Sequence, residues 1–301
     1  MSTDRPIRPV LGIFWMLVTG LLFVGVTALV KYLGPEVPAP QAAFLRYALG
    51  LIFLLPMLPA VARAHLSRQD WGLFALRGLG HSIAVALWFF AMARIPIADV
   101  TAMNYLAPIY VTIGAAVFLG EKLALRRILA IGIALIGALI ILRPGFREVG
   151  SGHLAMLAAA VVFGGSYLLA KMMTDRTNAT VVVAQLSFWV TLGLIPMAWS
   201  VWETPDLHTI TILMVVATLA TAGHYTMTLA FSVAPVTVTQ PVTFLQLVWA
   251  VSLGAFVFGE PIDPWVVVGG LVILGAVSFI TWREAVLKRR TITPPANATK
   301  V

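Results

Sequence analysis

Apolar runs about 20 residues long follow one another along this chain, separated by short stretches that hold the turns, prolines and charges. Read with that punctuation, ten spans emerge: 10–31, 40–60, 70–93, 97–119 and 123–142, then 152–173, 180–201, 208–232, 236–258 and 264–282. Each is long enough to cross the hydrocarbon core of a bilayer as a helix. The linkers leave no room for a soluble domain. Val10 to Val30 exceeds the apolar core of a cleavable signal and has no small-residue processing site, so it reads as the first spanning helix. The pattern therefore predicts an all-α integral membrane protein with ten transmembrane helices.

Composition agrees. Of the 301 residues, 60% are hydrophobic and 11% charged, against roughly 25% charged in soluble domains. Such a chain needs lipid as its solvent. The absence of cysteine excludes disulfides and thiolate metal sites. The net charge of +8 does not point to nucleic acid, because the basic residues are sorted by side. With the N-terminus in the cytoplasm, 14 of the 20 Lys and Arg fall on that side and only Lys31, Arg94, Arg143 and Arg147 on the other. Short loops rich in Lys and Arg stay inside, so both termini are expected in the cytoplasm.

The two halves also match each other. A shift of 139 places Ala91 on Ala230, Pro96 on Pro235, Gly120 on Gly259 and Glu121 on Glu260. A shift of 140 places Gly12 on Gly152, Phe23 on Phe163, Gly25 on Gly165, Lys31 on Lys171 and Pro56 on Pro196. Each copy holds five helices, and an odd number forces the second copy into the membrane upside down. The expected organisation is a first repeat over 1–146, an inverted second repeat over 147–285 and a disordered cytoplasmic tail over 286–301. Inverted repeats recur in transporters, with the substrate site between the copies near the midplane.

The residues LLFVGVTALVKYLG, FLRYALGLIFLLP and FFAMARIPIADVTAMNYLAPIYVTIGAAVFLGEKL carry a resemblance. They are similar to the EamA family of the drug/metabolite transporter superfamily, and within it to bacterial amino-acid exporters of the YddG type. The resemblance covers both halves. It implies ten helices around a central cavity, alternating access, and efflux from the cytoplasm across the bacterial inner membrane. Lys31, Arg46, Pro96, Pro108, Gly120 and Glu121 stand where the family pattern has its motif residues.

Polar side chains are costly in a bilayer and mark cavities or helix contacts. The fourth span sets Thr101, Asn104, Tyr105, Pro108 and Thr112 on one face, and the third stacks Arg77, His81, Ala84 and Trp88. The sixth offers Tyr167, the eighth His224 and Thr228, the ninth Thr243 and Gln246. The candidate substrate-binding set is His81, Trp88, Asn104, Tyr105, Tyr167, His224, Thr228, Thr243 and Gln246. Aromatic walls with a few neutral hydrogen-bonding groups suit an amphipathic metabolite such as an amino acid. Arg46 and Arg77 are expected to snorkel to water, the alternative being that either faces the cavity and attracts a substrate carboxylate. Glu121 and Glu260 are expected to favour the N-terminus of the helix that follows each. Pro56, Pro96, Pro108, Pro196 and Pro235 are the expected hinges, and glycines at 78, 80, 132, 137, 164, 165, 269, 270 and 275 the expected points of close helix approach.

No acidic residue falls in mid-span, and no GxxxxGK[ST] loop occurs. Facilitated, gradient-driven transport without cofactor or metal is thus the expected mechanism. HExxH and GxSxG constellations are missing too, so an enzyme is not expected. A channel would use rings of charge in an oligomer, whereas one chain with its own inverted pair is expected to work as a monomer. A lipid or polyprenyl-lipid flippase and a proton-coupled multidrug exporter remain as alternatives. The partners expected are a small metabolite and membrane lipid.

Overall fold

The structure, a computed structural model, describes residues 8–120, 124–174, 176, 177, 179–234 and 239–292. All its regular elements are helical. The first half runs α1 (Pro9–Leu33), α2 (Ala39–Gly50), a 3-10 segment (Leu51–Met57), α3 (Leu58–Ala62), α4 (Arg68–Met92), α5 (Ile97–Asn104), α6 (Ala107–Leu119) and α7 (Leu125–Leu142). The second runs α8 (Ser151–Thr174), α9 (Ala179–Trp199), α10 (Leu207–Val233), a 3-10 turn (Gln240–Thr243), α11 (Phe244–Phe258) and α12 (Pro264–Ile292). Among the described residues nine helical stretches are long and apolar enough to span a membrane, and Leu245–Phe258 adds a shorter apolar helix.

Helix ends follow local chemistry. Ser67 and Asp70 form a reciprocal capping box at the start of α4, and Asp206 accepts from Thr209 at the start of α10. Gly34, Gly120 and Gly259 take positive φ just past α1, α6 and α11, conformations that a side chain resists.

Beyond the 3-10 segments in the second and ninth spans, two more expected spans differ. The fourth is not one continuous helix. Tyr105 N–H donates to Ala102 and Leu106 N–H to Met103, tight i→i−3 bonds that separate α5 from α6. Pro108, at the start of α6, has no N–H to give Asn104, so the i→i−4 ladder lacks a rung there. Thr101, Asn104, Tyr105, Pro108 and Thr112 are therefore split between two helices instead of sharing one stripe. The tenth span is longer than expected: α12 continues through Ile292 rather than ending near 282. Residues 293–301 of the expected tail lie outside the described residues.

The packing carries the symmetry of an inverted repeat. Helix α1, first in its half, packs along α10, third in the other; α8 packs along α4 in the reciprocal relation. The self-related pairs α7 with α12 and α2 with α9 also touch, and α5 of the fourth span packs on α11 of the ninth. At the α7–α12 crossing, a Cβ on Gly137 would sit 2.8 Å from the Gly269 carbonyl oxygen, and one on Gly269 would sit 2.6 Å from that of Gly137. Lipid supplies no hydrophobic drive between helices, so such close backbone contact is what holds them. Gly78, Gly164 and Gly270 are likewise occluded, by Trp189, Tyr110 and Leu247. Gly80, Gly132, Gly165 and Gly275 have nothing within 4 Å of where a Cβ would be. The expectation of close contact fails for these four, of which Gly132, Gly165 and Gly275 are exposed.

Candidate functional site

Three of the expected residues meet on the seam between the halves, and a fourth takes part in a similar pair elsewhere. His81 and Trp88, two turns apart on α4, both pack against Phe163 of α8. The His81 ring meets Phe163 edge-on at 4.9 Å between centroids, and Trp88 does so at 6.1 Å. Tyr167, one turn further along α8, stacks on Phe163 at 5.9 Å with the rings 8° from parallel. In the symmetry-related helix pair, His224 of α10 meets Phe23 of α1 edge-on at 5.1 Å. Phe23 and Phe163 are the same position in the two repeats, so a Phe–His pair occurs once in each symmetry-related helix pair.

The two histidines differ in setting. His81 is buried and its Nδ1 is 2.9 Å from Ser166 Oγ. His224 is exposed, and Tyr167 is 42% exposed. Both sit well inside their spans beside buried neighbours. That combination fits side chains that open onto a space between helices rather than onto lipid. The Trp88 indole N–H is buried without a partner, a donor that a bound molecule could satisfy.

The other expected residues form a second group. Tyr105, in the break between α5 and α6, donates its hydroxyl to the carbonyl oxygen of Thr243 at 2.8 Å. Thr243 ends the 3-10 turn before α11, so the bond ties the interruption of one repeat to that of the other. Asn104 is half-buried at the end of α5, and Gln246 half-buried in the first turn of α11, beside Gly20 of α1. Thr228 belongs to α10, but its side chain lies outside the described residues.

Among the expected hinges, Pro96 caps α5, Pro56 sits inside the 3-10 segment and Pro196 inside α9. Pro235 lies outside the described residues. Pro56 was expected to close the second span; it is instead one residue from the end of a 3-10 stretch that continues into α3.

Two arginines lie in a different environment from the one expected. Arg46 and Arg77 do not snorkel, being only 7% and 6% exposed. Arg77 donates from Nη1 to the Val182 carbonyl oxygen at 3.2 Å, while its Nε is buried and unpartnered. The Arg46 guanidinium lies 4.0 Å from the Tyr47 ring centroid. Arg77 stands one turn before His81 on α4, and the helix that carries Arg46 packs against both α4 and α10. Phe163 was missed as well, although its match to Phe23 in the repeat was a usable signal.

At the end of the bundle that carries Arg143, charges close the seam. Asp99, 1% exposed in the first turn of α5, receives Arg147 and lies 3.0 Å from His153 Nε2. Asp263 receives Arg143 and lies 3.7 Å from Arg147. Glu260 pairs with Lys31 at 2.6 Å and accepts from the Ile97 N–H at 2.9 Å. It thus serves the start of α5, in the other repeat, rather than α12, which follows it. Its repeat partner Glu121 lies outside the described residues. A recess of about 280 Å³ opens here, lined by Pro96, Asp99, Arg143, Arg147, Glu260 and Asp263 among others.

Known proteins resemble the chain over nearly its whole length. A riboflavin transporter of Vibrio cholerae is 29% identical, over 94% of this chain and 97% of its own. The pseudopaline exporter CntI of Pseudomonas aeruginosa is 27% identical, over 88% and 94%. An S-adenosylmethionine uptake transporter of Rickettsia bellii is 24% identical, over 91% and 94%. A solved crystal structure 16% identical in sequence superposes with a TM-score of 0.60, covering 94% of this chain and 99% of that one. It shares the fold. Residues 10–143 and 150–282, one segment in each half, both match the same family, and with that match the chain belongs to the EamA-like transporter family.

Proposed function

We propose that this transporter carries a small amphipathic metabolite through the space between its two repeats by alternating access, as a passive uniporter. It sits in a bacterial inner membrane with both termini in the cytoplasm, its halves dividing near residue 146. The observation that carries the reading is the exposure of Tyr167 and His224 in mid-span, beside the buried ring of His81, on helices drawn from both repeats. Polar side chains exposed there call for a wettable space, because polar surface against lipid is costly. Phe23, Phe163 and Trp88 supply apolar walls for the body of the substrate.

The relatives are named for riboflavin, pseudopaline and S-adenosylmethionine, and for movement in both directions, as exporter and as uptake transporter. Amino acids stay in the candidate range on the chemistry of the lining, and so does export. Passive transport rests on the lack of a carboxylate in mid-span: Asp99, Glu260 and Asp263 all lie at one end of the bundle. The ion pairs there join the repeats and would have to part for that end to open.

The test is flux into liposomes holding the purified chain, with labelled aromatic amino acids, riboflavin and S-adenosylmethionine, with and without a pH gradient. Saturable equilibration of at least one compound without a gradient is expected. Flux that requires a proton gradient overturns the uniport mechanism. Scrambling of fluorescent lipids with no metabolite flux overturns the carrier reading in favour of a flippase.

A further inference from the structure

We infer that Arg46 and Arg77 form an anion-binding subsite in this space, and that the substrate presents a carboxylate to it. The inference rests on the carrier reading above and narrows its substrate class.

Three other basic side chains show one way this chain handles half-buried charge. Lys31, Arg143 and Arg147 each meet a carboxylate, as does the exposed Arg176. Arg46 and Arg77 are more deeply buried than any of these and, among the described residues, neither has a carboxylate within ion-pair distance. A charge removed from water without a counter-ion is expensive, and intramembrane charges that persist usually mark a substrate or ion path. Arg77 uses one of its five N–H donors on the Val182 carbonyl, and its Nε donor is sealed away from solvent without a partner. Arg46 has a Tyr47 ring beneath it, which steadies a cation without neutralising it.

The two side chains come from neighbouring helices. Arg77 lies one turn before His81 on α4, and α2, which carries Arg46, packs against both α4 and α10, the helices of His81 and His224. An oxyanion placed there would meet guanidinium donors from one repeat and a histidine from the other. A planar carboxylate matches the fork of a guanidinium. The rings of Phe163 and Tyr167, packed against His81, are suited to holding an apolar or flat body attached to that carboxylate. A purely structural role would leave Arg77 as a strut on the start of α9, and that role asks nothing of Arg46.

The experiment compares 3-phenylpropionate with its neutral amide, 3-phenylpropanamide, on the purified full chain in detergent, by calorimetry and thermal shift. The wild type is expected to bind the carboxylate about tenfold or more tighter than the amide. Arg46→Gln and Arg77→Gln are expected to erase that preference by weakening the carboxylate alone. Should Arg77→Gln fail to fold, Arg46→Gln and Arg77→Lys carry the same comparison. Equal affinity for the two probes in the wild type, or no binding of either, overturns the subsite. So does equal weakening of both probes in the variants. Carboxylate preference without flux in liposomes supports the subsite and sinks the carrier reading. Flux of riboflavin with no carboxylate preference does the reverse.

Discussion

The hydroxyl of Tyr105 donates to the main-chain carbonyl of Thr243 across 2.8 Å, joining the one point where α5 yields to α6 with the turn that precedes α11. Under the 139-residue shift Thr243 corresponds to Asn104, the neighbour of Tyr105, so both partners stand at the same place in their repeats. Interrupted helices at matching positions of two inverted halves are where substrate sites form in such carriers. The bond lets the two interruptions hold each other in register.

Removing it should cost stability without undoing the fold. Tyr105→Phe keeps the buried ring and removes this one bond, a loss of about 1 kcal/mol. Thermal unfolding in detergent should show a lower midpoint with unchanged helix content. An unchanged midpoint would show that the bond adds nothing to stability.

Pro108 is expected to keep the break open. An alanine there restores an N–H that can reach the Asn104 carbonyl and complete the ladder from α5 into α6. Pro108→Ala should therefore slow turnover in liposomes while leaving KM within about twofold, the pattern of an altered conformational step. Unaltered turnover would remove Pro108 from the hinges.

The glycines divide by what faces them. Gly269→Ala drives a methyl into the Gly137 backbone, where neither helix can yield cheaply, and should destabilise by about 1–3 kcal/mol. Gly165→Ala and Gly275→Ala meet nothing within 4 Å and should be neutral or stabilising by up to about 1 kcal/mol. Melting curves of the three variants, taken together, decide this. Similar losses at all three would mean the crossing of α7 and α12 is not a tight one.

Asp99 is the buried centre of the charged end. Asp99→Ala leaves Arg147 and His153 without their shared acceptor, and breaking such a pair by removing one partner costs about 3 kcal/mol. Arg147 is 19% exposed and retains Asp263 nearby, so the loss should fall at or below that figure. If these pairs hold the Arg143 end shut, cysteines introduced near Pro96 and Phe146 in the Asp99→Ala background should label faster with a membrane-impermeant thiol reagent. Labelling no faster than in a wild-type background would separate stability from gating.

Much of this was legible along the chain, for reasons that can be stated. Spans of about 20 apolar residues follow from bilayer thickness alone, whatever the helices later pack against. The repeat needed no structure either, because Phe23 with Phe163 and Glu121 with Glu260 are matches of letters. The polar and aromatic positions in mid-span were visible because any such residue is unusual there; His81, Trp88, Tyr167 and His224 stood out on that ground.

Direction was not legible. In water an amphipathic stripe tells which face of a helix turns inward, but lipid is as apolar as the packed interior, and that signal is weak. So Gly165 and Gly275 looked equivalent to Gly137 and Gly269 until the crossings were seen. Arg46 and Arg77 have stems long enough to reach water, and only the surrounding helices decide that they do not. Glu260 could have served the helix after it; that it reaches back to Lys31 and Ile97 depends on where a distant part of the chain lies. The sequence by itself determined a lipid-dissolved chain of two related five-helix halves, because length, apolarity and repetition are properties of one dimension. Tertiary packing decided which side chains face one another across the seam, because that choice is made by contacts between residues more than a hundred positions apart.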